Sequence, residues 1–71
     1  MNLQERLKKL RKSVYLNQED IANMLGVSKQ TYGRYERGER TLSPQEIVLL
    51  ARFYNVSTDY LLGVTDDPAP K

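Results

Sequence analysis

The stretch Gln18 to Gly38, QEDIANMLGVSKQTYGRYERG, reads as two short helices joined by a tight turn at Gly26. Asn17 stands just before the first as a cap for free backbone N–H groups, and Glu19 and Asp20 follow in the first turn, where the helix dipole favours negative charge. Ile21, Ala22 and Leu25 recur at the spacing of one buried stripe. Gly26 closes that stripe with the left-handed backbone glycine tolerates, and Val27 plugs the corner. Ser28 is the next cap, for a short helix over residues 29–37 that stops at Gly38. At about 100° per residue Tyr32 and Tyr35 share the inner side, while Gln30, Gly33, Arg34 and Arg37 fall opposite. Arg can bond guanine O6 and N7 bidentately and Gln can bond adenine N6 and N7, so the outer face has the chemistry of base reading. Gly33 costs about 1 kcal/mol against alanine in mid-helix. It is either a tolerated flaw or a place where a backbone must approach a base or sugar closely.

Working outward, Asn2 and Glu5 form a capping pair for a helix whose apolar stripe is Leu3, Leu7, Leu10 and Val14. Ser43, Pro44 and Glu46 announce another helix start, with Ile47, Leu50, Ala51 and Tyr54 as its buried face. Asn55 suits a left-handed stop, Val56 turns inward, and Ser57 caps a last helix over residues 58–62 that ends at Gly63. No run alternates as a strand would and no repeat is present, so the class is all-α with five helices. Residues 1–64 form the domain, and 65–71, with its prolines and aspartates, is expected as a flexible C-terminal tail.

A chain of 71 residues bounds the answer to one domain with a small core. The absence of Cys excludes disulfides and thiolate metal sites. With no His either, no base stands beside a nucleophile and no metal-ligand cluster forms, so no catalytic residue, metal, cofactor or small-molecule ligand is expected. Neither a membrane-spanning stretch nor a signal-peptide layout is visible, and a cytoplasmic location follows by default. The net charge of +2 is too modest to argue for nucleic acid by itself.

Placement of the charges says more. Lys8, Lys9 and Lys12 point away from the first helix's leucines and read as a solvated face. Arg11 lies only about 40° from Leu7 in helical projection, so its guanidinium runs along the core edge and needs an anion. Glu36, at the matching edge of the 29–37 helix, is the candidate.

The conjunction of cap, stripe, glycine turn, second cap, basic outer face and glycine stop resembles the helix-turn-helix of the phage lambda repressor and Cro type, the Xre family. The likeness runs from about Leu3 to Gly63. It implies a compact five-helix bundle of the lambda-repressor-like type and a transcriptional regulator, expected as a repressor, that inserts helix 29–37 into the major groove of double-stranded DNA. Base-reading positions would be Lys29, Gln30 and Arg34, and phosphate contacts would come from Gln18, Thr31, Arg37 and Arg40. The Arg11–Glu36 pair would lock the first helix to the recognition helix. A homodimer held through Val56, Tyr60, Leu61 and Leu62 would place two recognition helices about 34 Å apart on an inverted repeat. Tyr32 departs from the branched aliphatic residue usual at its position, so its hydroxyl must reach the surface or find a partner. Gly33 departs from a small polar residue. Tyr15, Phe53 and Tyr54 are expected in core and edge packing, not as stacking platforms. The rival reading is an antitoxin or anti-repressor module whose main partner is a protein.

Overall fold

The computed structural model describes residues 1–69, and the last two positions of the expected tail lie outside the described residues. Five helices follow one another: α1 Leu3–Ser13, α2 Gln18–Leu25, α3 Lys29–Arg37, α4 Pro44–Tyr54 and α5 Thr58–Leu61. No strand forms among the described residues.

Each helix starts on the same local chemistry. The Asn or Ser caps at Asn2, Asn17, Ser28, Ser43 and Ser57 all accept the third helical N–H with the side-chain oxygen. In α2 and α4 the third residue answers: Asp20 takes the Asn17 N–H at 3.0 Å and Glu46 takes that of Ser43 at 2.8 Å. Tyr60 holds the third place in α5 and cannot accept that way. The Ser57 N–H donates instead to the Pro68 carbonyl, 3.1 Å away, so the 65–69 stretch returns to the foot of α5.

An apolar residue precedes four of these caps and another stands in the second turn: Leu16 with Ile21, Val27 with Tyr32, Leu42 with Ile47, Val56 with Leu61. These are hydrophobic-staple positions, which fix the angle at which the chain enters the helix. The first three pairs all belong to or pack on one core of Leu7, Ile21, Ala22, Tyr32, Tyr35, Leu42, Leu50, Ala51 and Leu61. Around it α2 pairs with α3, α1 crosses α3, and α5 joins α4 to α1.

Two expectations are corrected by the turn after α1. Val14 is not part of the α1 stripe: the helix ends at Ser13, and Val14 is the exposed residue after it. Tyr15 packs against nothing, being 95% exposed in the left-handed conformation at φ 59°. Phe53 sits edge-on to Tyr54 with ring centroids 5.1 Å apart, but it is exposed on the outer side of α4. The last helix also stops one residue short of expectation, with Leu62 as its cap.

Candidate nucleic-acid interface

The position of α3 is set by its inner edge. Glu36 receives a forked pair of bonds from Arg11 on α1, Nε to Oε2 at 2.7 Å and Nη2 to Oε1 at 3.1 Å. Both side chains are nearly dry, 11% and 4% exposed, which places the pair among buried and not surface ion pairs. Arg11 Nη1 also donates to the Leu16 carbonyl at 3.0 Å, and Gln18 Nε2 to Glu36 Oε1 at 3.1 Å, so one cluster ties α1, the α1–α2 turn, α2 and α3 together. Burial pushes the Glu36 carboxyl up, but the bonds from Arg11 and Gln18, with the nearby Tyr32 hydroxyl, outweigh it and hold it below its ordinary 4.5.

Tyr32 stands beside this cluster, fully buried, its hydroxyl near Glu36 without meeting hydrogen-bond geometry. Burial first, and the carboxylate second, push the phenol well above its ordinary range. The Tyr54 hydroxyl is likewise buried without a partner, and burial raises it to about 12. Tyr35 packs edge-on to Tyr32 at 6.1 Å and donates to Glu46 of α4 at 2.8 Å, which fixes the far end of α3.

With that edge fixed, Lys29, Gln30, Arg34 and Arg37 all project to solvent. With Gln18 and Gly33 they line a concavity of about 330 Å³ where the tip of α2 meets the outer face of α3. The capping box takes the N–H groups of Asn17 and Asp20, leaving the Gln18 and Glu19 amides at the α2 tip outside it. One of the two Gln18 side-chain N–H groups goes to Glu36, and the main-chain N–H of this residue at the α2 tip is a further donor for a phosphate. Thr31 is half-buried, and its hydroxyl accepts from Ser28 Oγ at 3.0 Å within the α3 cap. Arg37 pairs in solvent with Glu39 at 2.9 Å, both side chains 55% exposed. Arg40 is exposed in the loop beyond, near enough to Tyr35 and Glu46 to act on both electrostatically.

The residues expected at a dimer face separate. Leu61 has no exposed surface and belongs to the core, so it is removed from any set a partner touches. A helix of four residues with apolar neighbours on both sides gives no period from which to read the inward one. Tyr60 is half-buried with one ring face covered by Arg6, whose guanidinium carbon lies 3.8 Å above the centroid. Val56 is half-buried and Leu62 39% exposed. More apolar surface lies beside them on α4, where Val48, Leu49 and Phe53 are all exposed. A groove between α4 and the start of α5, lined by Val48, Arg52, Val56 and Thr58 among others, continues that surface. Sequence reading missed this face, although α4 is apolar well outside its buried stripe, which is the signal of a second contact.

Arg6 was missed as well. Its side chain is 3% exposed and it reaches Asp66, sixty residues on, at 3.4 Å. Among the described residues no group of His, Cys, Asp and Glu has the arrangement to hold a metal ion. No described helix is long and apolar enough to cross a membrane.

The family model described as helix-turn-helix matches residues 7–61. The HTH-type transcriptional regulator YobD of Bacillus subtilis (strain 168) is 46% identical over 67 residues, 94% of this chain and 60% of that protein. A transcriptional regulator from Listeria innocua superposes with a TM-score of 0.84 at 31% identity, covering 87% of this chain and 58% of the other. The P22 c2 repressor, solved in complex with the synthetic operator 9T, superposes with a TM-score of 0.79 at 29% identity, covering 87% of this chain and 94% of the other. The chain spans 50–60% of the length of three curated relatives that it matches, YobD among them.

Proposed function

The chain belongs to the helix-turn-helix family, and from that premise we propose that it is a sequence-specific regulator of transcription, acting as a repressor on double-stranded DNA in the cytoplasm. Binding, not turnover, is the proposed activity. The observation that carries it is the row Lys29, Gln30, Arg34 and Arg37, exposed on one face of a helix whose opposite edge is fixed by a buried ion pair. Such a helix meets the major groove with donors and acceptors for base edges and without a mobile scaffold behind them. The similarity to a repressor solved on its operator supports the same reading. That α3 itself carries no exposed acid, its Glu36 being turned inward to Arg11, counts against the rival protein-binding role.

Lys29, Gln30 and Arg34 are proposed to read bases. Gln18 through its main chain, with Thr31, Arg37 and Arg40, is proposed to position the phosphates. The described chain presents one base-reading helix, whereas successive major grooves on one side of the duplex lie roughly 34 Å apart. One copy therefore engages one half-site. Two copies pairing through Val56, Leu62 and the exposed α4 residues would engage an inverted repeat.

The test is to select bound sequences from random DNA and titrate variants on the selected and scrambled duplexes. Arg34→Ala should lose about 1–3 kcal/mol on the selected site and little on the scrambled one, while Arg40→Ala weakens both alike. Equal losses on both duplexes for Arg34→Ala would remove it from base reading. A five-base-pair insertion between half-sites, about half a helical turn, should abolish paired binding, and undiminished affinity would break the dimer geometry.

A further inference from the structure

Gly33 lies on the outer face of α3 and yet is buried. The cover comes from two side chains. A Cβ built on Gly33 would stand 3.1 Å from Arg37 Nη1 and 3.5 Å from Gln18 Oε1, so both lie in the space that any other residue would claim. Arg37 is held at its other end by Glu39, which takes Nε at 2.9 Å and Nη2 at 3.4 Å. Nη1 is left as the nitrogen laid over the bare backbone of α3, at the wall of the concavity shared with Gln18, Lys29, Gln30 and Arg34.

From this we infer that Gly33 is a positioning residue: by carrying no side chain it seats the Arg37 guanidinium on α3, where it meets a backbone phosphate of bound DNA. Arginine carries a large rotamer entropy, and its fork is useful to a planar anion only if its orientation is fixed in advance. Here two anchors fix an otherwise solvent-exposed side chain, the Glu39 carboxylate at one end and the empty position at the other. The mid-helix glycine, unfavourable for α3 by itself, is explained by the conformation it permits next door.

The inference rests on the DNA-binding reading above, and the test separates the two. Wild type, Gly33→Ala, Arg37→Ala, Arg37→Lys and the Gly33→Ala/Arg37→Ala double variant are titrated against a labelled random-sequence duplex of about two helical turns, between about 50 and 200 mM salt. Gly33→Ala should melt at or above wild type, since alanine is the better helix former and the atoms in its way belong to mobile side-chain ends. It should nevertheless weaken binding and lower the salt slope by about one, as Arg37→Ala does, so that its deficit against wild type shrinks about 3-fold between the low and the high salt. Arg37→Lys keeps the charge but lacks the planar fork that the seat holds, so it should fall short of wild type as Gly33→Ala does. In the Arg37→Ala background the added methyl should change nothing. Wild-type binding with Gly33→Ala indistinguishable from it would overturn the inference and leave the DNA reading intact. An equal loss with or without Arg37 would also overturn it, because the methyl would then be obstructing DNA directly. Wild type binding no duplex would overturn both.

Discussion

Two Arg–Glu pairs meet α3 at consecutive residues and do opposite things. Glu36 faces inward and holds Arg11 with both oxygens in a site nearly free of water, whereas Arg37 faces outward and holds Glu39 with both partners half in solvent. The donor–acceptor distances are similar, 2.7 and 2.9 Å, so distance does not separate them; surroundings do. In the dry site, removing one partner strands the other as an uncompensated charge, while in water the survivor is simply hydrated. The recognition helix is thus bolted to the core along one edge and carries its second pair in water along the other.

The largest effect expected from that contrast is on stability. Glu36→Ala should cost about 3–5 kcal/mol, the range for breaking a buried pair. A chain of this length has a total stability on the order of 4–10 kcal/mol, so the substitution should remove from about a third of it to nearly all of it. Urea denaturation of Glu36→Ala and Arg11→Ala checks it, and midpoints close to wild type would put both pairs in the same class.

The next effect is on pH dependence. Because the folded Glu36 carboxyl is held below its ordinary 4.5, the stability it contributes is complete above that value and is lost as pH falls through the depressed folded value. Melting temperature should therefore drop on acidification below about 4.5, and Glu36→Gln should flatten that part of the curve. Glu39 is also lowered, by the Arg37 bonds, but water screens it. A Glu39→Gln curve that flattened as much as the Glu36→Gln one would erase the distinction.

A smaller effect, of opposite sign, lies in the turn that the bolt secures. Arg11 Nη1 grips the Leu16 carbonyl, and the residue before it, Tyr15, is held left-handed with its ring in solvent. That conformation costs a non-glycine residue roughly 1–2 kcal/mol and persists where the surroundings over-determine it. Tyr15→Gly should raise stability by about 1 kcal/mol, measured by the same denaturation. In an Arg11→Ala background the gain should shrink as the turn relaxes. The smallest change belongs to Glu39→Ala, which should melt with wild type.

What could be read in advance divides along the same line between local and distant chemistry. The five caps and the left-handed stops at Gly26, Gly38 and Asn55 depend on residues a few positions apart, so their types announce them. Arg11 with Glu36 was legible because each sits at a helix edge whose projection can be drawn. Arg6 was not, since Tyr60 and Asp66 reach it only after the chain has folded back, and a charged residue at that place in a helix reads as exposed. Tyr15 argues by its type against the conformation it adopts. The Gln18 side chain shows nothing in sequence of having turned inward to Glu36, and the cover over Gly33 depends on just such choices of direction.

The carbonyl of Pro68 occupies the place that carboxylates fill at the starts of α2 and α4. Cutting the chain after Val64 would remove the acceptor of the Ser57 amide along with the Asp66 partner of Arg6. Hydrogen exchange makes this visible at one atom. The Ser57 amide is protected only while residues 65–69 stay seated, so its exchange rate measures, from inside α5, how often that last segment lets go.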